Sequence, residues 1–268
     1  MRKIFFIFLA VAASSALFAQ QTKTDKREER RKKINAMIKE EEEGVIAYQR
    51  HTIFGLKLVN DGYGAFLEIG RAQSIKKALL FQLDISERKH VKENKQSDQQ
   101  YPGPSIIFGK INFFYPVKLG VQQQILLGNK SNKNGVSVTA NFGGGISLGF
   151  LRPYFLEIND TSKTPLERKS IRYESADSAT FTNPSDLFNL QATGPSFTKG
   201  WGNLKLTPGL YAKSALRFDY GRYNEVVSAI EVGVTAEYYT KNIPQVVSVK
   251  EKKLFVGAYV SILFGKRK

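Results

Sequence analysis

The sequence contains no cysteine and two histidines, His51 and His90, among its 268 residues. The absence of cysteine excludes disulfide frameworks, thiolate metal ligands, iron–sulfur clusters, thiol catalysis and a lipid anchor on an amino-terminal cysteine. Two histidines leave little room for a metal site built from several imidazoles. We therefore predict no cofactor, no metal site and no catalytic residues, and we do not expect the protein to be an enzyme.

The chain also lacks a hydrophobic run long enough for a spanning helix, which needs roughly 20 residues. Its longest apolar stretch covers residues 4–13. Arg2 and Lys3 precede this stretch, and small residues ending in Ala19 follow it. This order is typical of a secretory signal peptide, so residues 1–19 are predicted to be removed on export. If the exported protein lies in a membrane, it must therefore cross that membrane with β-strands.

Acidic residues are outnumbered, because 24 Asp and Glu stand against 40 Lys and Arg, a formal net charge of +16. Such a balance suits nucleic acid or an anionic membrane surface. Since an exported protein does not meet genomic nucleic acid, we predict no nucleic-acid partner. Residues 20–47 hold a basic block, Lys26–Lys33, and an acidic block, Glu40–Glu43. A short charged helix is predicted there, either solvated and frayed or serving as a handle for a partner protein.

From Tyr48 onward the sequence alternates with a period of two. Residues 136–150 place apolar side chains or glycine at every even position, and Ser, Thr, Asn or Gly at every odd position. Residues 204–220, 226–239 and 253–264 show the same division, with some interruptions. Alternation over such lengths predicts long strands with one apolar face.

Two architectures bury such a face: a water-soluble sandwich with the face inward, or a membrane barrel with the face outward. The long predicted strands suit a tilted crossing of the bilayer, which needs about 9–11 residues. Aromatic residues near strand ends, such as Phe113, Tyr154 and Tyr239, resemble interfacial girdles. We predict an all-β fold, an antiparallel transmembrane β-barrel over residues 48–268 that follows a short periplasmic helix. The sandwich remains the alternative.

The predicted barrel has about ten strands, an even number that returns both chain ends to the periplasm, and eight to twelve strands stay open. The strands are placed near residues 51–59, 64–72, 78–90, 105–115, 118–128, 136–150, 153–159, 204–219, 226–239 and 253–264. Periplasmic connections are placed at 73–77, 116–117, 151–152 and 220–225, and external ones at 60–63, 91–104, 129–135, 160–203 and 240–252. The loop 160–203 is the longest segment predicted to be irregular.

The inward positions of this barrel carry charges of both signs. Because cations and anions nearly cancel, we predict an ion-paired plug that closes the interior, with a narrow ion or solute path as the alternative. Lys213 and Arg217 are expected to lie within reach of Glu231 and Glu237 on the next strand. The predicted network consists of Lys57, Glu68, Asp84, Arg88, Lys110, Lys205, Lys213, Arg217, Asp219, Glu231 and Glu237.

A hydrolase located at the barrel rim is a further alternative. His90 falls near the outer end of its predicted strand, and Asp84 precedes it on the same strand. Nucleophilic catalysis needs a nucleophile that is activated by an adjacent base, and no serine signature accompanies this pair. We therefore interpret His90 as a solvated rim residue.

Several short motifs resemble those of uncharacterised outer-membrane β-barrel proteins of Bacteroidota, over residues 44–267. The resemblance implies a barrel in the outer membrane of a Gram-negative bacterium, and it implies no reaction, ligand or catalytic residue. The motifs are Phe108-Gly109-Lys110-Ile111-Asn112, Gly135-Val136, Gly143 to Gly149, Leu151-Arg152-Pro153-Tyr154-Phe155-Leu156, Lys205 to Lys213, Glu231-Val232-Gly233 and Leu263-Phe264-Gly265-Lys266-Arg267.

We expect an integral outer-membrane barrel of structural or accessory type, a subunit of a secretion, assembly or surface complex. The predicted partners are outer-membrane lipid, including the lipopolysaccharide leaflet, and other envelope proteins. Protein contacts are expected through the amino-terminal helix, the barrel wall or the loop 160–203. A small-solute or ion pore and the rim hydrolase remain the alternative functions.

Overall fold

The computed structural model describes residues 30–32, 49–96, 103–130, 135–160, 167–174, 178–221, 225–247 and 249–268. The predicted signal peptide lies outside these residues. Of the predicted charged segment, only the helical residues 30–32 are described. No helix in the described part of the chain is both long and apolar enough to cross a membrane.

Eight antiparallel strands form a closed barrel, in the order β1-β12-β11-β10-β7-β6-β3-β2 around the ring. Two further two-stranded sheets, β4-β5 and β8-β9, lie outside the barrel. In chain order the strands are β1 (Arg50–Val59), β2 (Gly62–Ser74), β3 (Lys77–Arg88), β4 (Lys95–Gln96), β5 (Ile106–Ile107), β6 (Asn112–Gly128), β7 (Ser137–Pro153), β8 (Leu156–Asp160), β9 (Glu167–Ile171), β10 (Lys205–Asp219), β11 (Val226–Ile243) and β12 (Lys252–Arg267).

The barrel closes where the first strand pairs with the last. β1 and β12 are in register from His51 opposite Arg267 to Val59 opposite Tyr259. This seam leaves no barrel strand with an open edge, since each of the eight has two paired neighbours.

The side chains alternate as the sequence pattern predicts, with the apolar face outward. On β12 the residues from Leu254 to Phe264 alternate between exposed apolar side chains and mostly buried inward positions. About ten residue steps of roughly 3.4 Å, tilted by roughly 40°, give an apolar band about 26 Å tall. This height matches the hydrocarbon-facing band of outer-membrane barrels. The predicted β-barrel is therefore confirmed, and its exterior is that of a membrane-spanning barrel.

The two ends of the barrel differ in their connections. The short-turn end carries residues 75–76, 129–136 and 220–225 together with both ends of the barrel sequence. The long-loop end carries a tight turn at 60–61 and the segments 89–111, 154–204 and 244–251. In outer-membrane barrels the short turns face the periplasm and the long loops face outside.

The barrel has eight strands, so the predicted count of ten is corrected within its stated range. The two errors are the turns placed at 116–117 and 151–152, which lie inside β6 and β7. Pro116 interrupts the ladder between β6 and β3, whose register passes from Val117 to Phe114, while β6 continues beside β7. With these turns removed, the connection at 129–135 moves to the short-turn end.

The remaining predicted strands belong to a small structured unit at the long-loop end, which we call the loop cap. It contains β4, β5, β8 and β9, the helices α1 (Ser178–Thr182) and α2 (Pro184–Asn189), and a 3₁₀ turn at Trp201–Asn203. Asn183 begins α2 by accepting a hydrogen bond from the amide of Ser185. The segment predicted to be irregular is therefore partly ordered. The core of the loop cap consists of Ile107, Tyr154, Leu156, Ile158, Ile171, Phe181 and Leu187.

Candidate functional site

Two ion pairs cross the whole width of the barrel interior. Arg217 on β10 donates to both carboxylate oxygens of Glu68 on β2, with Nη1–Oε1 and Nη2–Oε2 distances of 2.7 Å each. Arg88 on β3 donates to Glu237 on β11, with an Nη2–Oε1 distance of 3.1 Å. In both pairs the two strands lie four places apart in the ring of eight, which makes them diametrically opposite.

These crossings follow from the pleat of the strands and from the size of the barrel. All four residues occupy inward positions, and all are at least 98% buried. An eight-stranded barrel has an interior just wide enough for side chains to fill. Long side chains from opposite walls therefore meet near the axis.

Glu231 on β11 is the centre of a first group of charges, which lies towards the short-turn end of the interior. Its carboxylate accepts from Arg217 and from Lys213, with the Lys213 Nζ–Oε1 distance at 2.8 Å. Tyr259 and Asn141 donate to it at 2.7 and 2.9 Å. A carboxylate offers about four acceptor sites, so these donors satisfy it. A buried carboxylate is tolerated only when it has charged and hydrogen-bonding partners of this kind.

A second group of charges lies closer to the long-loop end. Asp84 pairs with Lys57 and lies 3.5 Å from Lys118 Nζ. Lys118 also donates to Glu237 at 2.8 Å, and the hydroxyl of Tyr239 donates to the other oxygen of that carboxylate at 2.8 Å. The two groups together extend the network through successive levels of the barrel.

The short-turn end of the interior is closed by a third group. Asp219 pairs with Arg267 and lies 3.5 Å from Lys130 Nζ. His51 Nε2 lies 3.1 Å from Glu68 and joins this level to the crossing pair above it. A cavity of about 50 Å³ lies at this level, among residues that include His51, Arg217 and Asp219.

The structure places nine of the eleven predicted network residues in ion pairs inside the barrel. Lys205 was wrongly assigned to the interior, because it lies exposed at the rim and pairs with Glu174. Lys110 also lies outside the barrel strands, in the long-loop region, where it is buried against Glu93 and its pKa is lowered by burial. The nine are Lys57, Glu68, Asp84, Arg88, Lys213, Arg217, Asp219, Glu231 and Glu237.

Sequence reasoning missed other members of the network. Lys118 shares its face with Gln122 and Gln124, so alternation alone indicates an inward position, but it was placed at the first position of a predicted strand, next to the turn at 116–117, and was not included in the network. His51 has the same parity as Lys57, so alternation indicates an inward position for it as well. The members not predicted are His51, Lys118, Lys130, Asn141, Tyr259 and Arg267.

The rim residues proposed for hydrolysis do not come together. His90 is half-buried, accepts at Nδ1 from the amide of Lys92 at 3.1 Å, and donates its backbone amide to Glu93. Burial lowers the pKa of His90. Asp84 is engaged with Lys57 and Lys118 inside the barrel. No group of three or more His, Asp or Glu side chains that could hold a metal ion occurs in the described ranges.

An arginine fastens the loop cap to the barrel rim. The guanidinium of Arg152, on β7, lies 4.1 Å from the ring centroid of Phe113 and 5.0 Å from that of Trp201. Tyr115 and Phe197 complete the surrounding aromatic residues, and Arg152 Nη1 donates to the carbonyl of Phe197 at 2.5 Å. These contacts hold the end of the long segment 154–204 against the strands.

The chain matches no protein-family model, and no curated protein matches its sequence. Three solved barrels are similar in structure. Neisserial surface protein A has 9% identity and a TM-score of 0.39, and the match covers 82% of this chain and 96% of that one. Ail of Yersinia pestis has 10% identity and a TM-score of 0.34, covering 82% and 99%. The N-terminal β-barrel domain of Pseudomonas aeruginosa OprF has 10% identity and a TM-score of 0.31, covering 81% and 100%.

The closed strand ring, the apolar exterior and the paired charges inside define the class of the protein. It is an integral membrane β-barrel of the outer-membrane type, with an interior filled by its own side chains.

Proposed function

We propose that this barrel is an accessory subunit of a complex in the outer membrane of a Gram-negative bacterium, and that it acts through its outer surfaces rather than through its interior. The observation that carries the proposal is the pair of diametric ion pairs, Arg217–Glu68 and Arg88–Glu237. We also propose that the protein belongs to the Bacteroidota family of outer-membrane β-barrel proteins that its sequence resembles.

A conducting barrel needs a continuous water-filled path, and the interior contacts oppose one. Hydrogen bonds of 2.7 and 3.1 Å connect opposite walls at two separate levels. Lys57, Asp84 and Lys118 occupy the space between those levels. Separating such pairs leaves uncompensated buried charges, which is strongly unfavourable. The contacts therefore favour the plug over the solute path.

The loop cap offers the surface for partner contact that the structure describes best. Phe188 on α2 is 67% exposed and Phe197 is 74% exposed. Burying such a side chain against a partner is favourable, because it removes apolar surface from water. The barrel wall and the segment 20–47 are the other surfaces through which we propose contacts with envelope proteins.

A conductance measurement distinguishes an accessory subunit with a closed interior from a pore. Purified protein in planar bilayers is expected to show no stable channel openings. Reproducible large openings of the unmodified protein would contradict a closed interior.

Mild-detergent purification with crosslinking tests the partner role. The parent is expected to carry defined envelope proteins, and the variant Phe188→Ser is expected to lose at least one of them. Lys205→Gln, an exposed polar change at the same end, is the matched control and should retain them all. If crosslinking captures no other protein and the parent is recovered only as a monomer, the accessory role is refuted.

A further inference from the structure

Three exposed cations lie side by side at the short-turn end of the barrel. Arg50 begins β1, Arg71 lies near the end of β2, and Lys266 lies near the end of β12. These three strands are neighbours in the ring. We call the three residues the basic strip.

The register sets two members of the basic strip directly against each other. Arg50 is the cross-strand partner of Arg71. Like charges that are directly opposite destabilise a sheet, unless another group compensates them. No acidic side chain among the described residues forms an ion pair with any of the three. An anion bound between the strands would remove this repulsion.

The strip points in the same direction as the lipid-facing side chains. Along the same outward faces follow Phe54 on β1, Ile69 on β2 and Phe264 on β12, each about half exposed. The three cations therefore lie where the apolar band ends, at the level of the lipid headgroups. An anion reached from this side belongs to the membrane.

Among the described residues at this end, the basic strip lies across the barrel from exposed apolar positions. At the same end, the outward positions of the opposite wall carry Leu127, Val136 and Tyr220, all exposed. The outward apolar run is also shorter beside the strip: on β1 it ends at Phe54, whereas on β10 it reaches Phe218 and is followed by Tyr220 just after the strand. A short apolar run draws the headgroups of that leaflet towards the strip.

We propose that the basic strip binds the phosphodiester headgroup of an anionic glycerophospholipid in the leaflet at the short-turn end. Arginine binds phosphate oxygens in a bidentate manner, and the Arg50–Arg71 pair presents two such groups to one site. This inference concerns a lipid ligand and is independent of the protein partners proposed above.

A tryptophan reporter beside the strip tests the assignment in the full chain. Trp201 is the single tryptophan, so the variant Trp201→Phe has no tryptophan fluorescence of its own. Thr52→Trp then places a fluorophore next to the strip, and Tyr220→Trp places one on the opposite wall. Quenching by brominated phosphatidylglycerol is compared with quenching by brominated phosphatidylcholine in vesicles of the two lipids.

At position 52 we expect phosphatidylglycerol to bind about fivefold or more tightly than phosphatidylcholine, on the basis of about one kcal/mol for each cation near an anionic surface. At position 220 the two lipids should quench equally. Arg50→Gln/Arg71→Gln should abolish the preference at position 52, and Lys241→Gln/Lys253→Gln, at the long-loop end, should leave it unchanged.

Equal preference at both reporters, or a preference that survives loss of the two arginines, would overturn the assignment. A third outcome would overturn it as well. If the preference is missing in the parent and emerges after Glu40–Glu43 are changed to glutamine, the strip binds the acidic block of its own chain instead of lipid.

Discussion

Replacing Arg217 by methionine is the sharpest test of the interior network. The guanidinium binds Glu68 through two hydrogen bonds and also contacts Glu231. After its removal, Glu231 keeps Lys213, Tyr259 and Asn141, whereas Glu68 keeps only the His51 contact among these groups. The main loss is therefore an uncompensated carboxylate at Glu68.

Breaking a buried pair by removing one partner costs about 3–5 kcal/mol, so the free energy of unfolding of Arg217→Met should fall by about that amount. Removing the second charge as well should recover part of the loss. We expect Arg217→Met/Glu68→Gln to be about 2 kcal/mol more stable than Arg217→Met alone, because replacing both members of a buried pair is often nearly neutral.

Urea-induced unfolding in phospholipid vesicles, followed by fluorescence, measures both differences through linear extrapolation. Lys205→Met is the matched control, since Lys205 is a cation on the same strand whose ion pair with Glu174 is exposed. A surface pair contributes about 0–1 kcal/mol. The reasoning fails if Arg217→Met costs no more than this control, or if the double variant is less stable than Arg217→Met.

The glycine at position 70 has no room for a side chain, because a Cβ there would lie 2.1 Å from the His51 ring, so Gly70→Ala should cost about 1–3 kcal/mol in the same unfolding assay. Arg152→Leu should release the segment around Lys199 and raise the rate of tryptic cleavage there severalfold, with the barrel remaining intact on gels. Burial raises the pKa of Tyr154 to about 12. The unfolded phenol ionises from about pH 10, so the folded state holds more protons above that pH and the loop cap should lose stability between pH 10 and 12. Its amide protection factors, which compare exchange with the base-catalysed intrinsic rate, should therefore fall over that range in the parent and not in Tyr154→Phe.

Alternation was sufficient to assign the inward residues of the long strands. It predicted Lys213 and Arg217 on β10 and Glu231 on β11, and the register brings Arg217 directly opposite Glu231. It assigned the wrong partner to Glu237, which contacts Arg88 and Lys118 from other walls. Contacts across the interior depend on the number of strands, and a local pattern carries no information on that number.

The predicted number of strands was wrong partly because a proline was interpreted as a turn. Pro116 is a strong turn signal in sequence, because it cannot donate to a ladder. In the barrel it occupies an irregularity beside β3 and remains paired with Gly149 of β7. The loop cap was missed for a different reason: its strands and helices are two to six residues long, and their order depends on a shared core formed by distant segments.

The seam between the first and last strands governs how this chain reaches its final state. His51 and Arg267 become neighbours although 216 positions separate them (267 − 51). Such non-local pairing is slow, because the entropy of closing a long loop must be overcome before the contact forms. A chain halted before β12 would expose two rows of unbonded amides and carbonyls, which hydrocarbon does not tolerate. A closed wall in hydrocarbon therefore depends on the sixteen residues of β12, which supply the hydrogen-bonding partners of both β1 and β11.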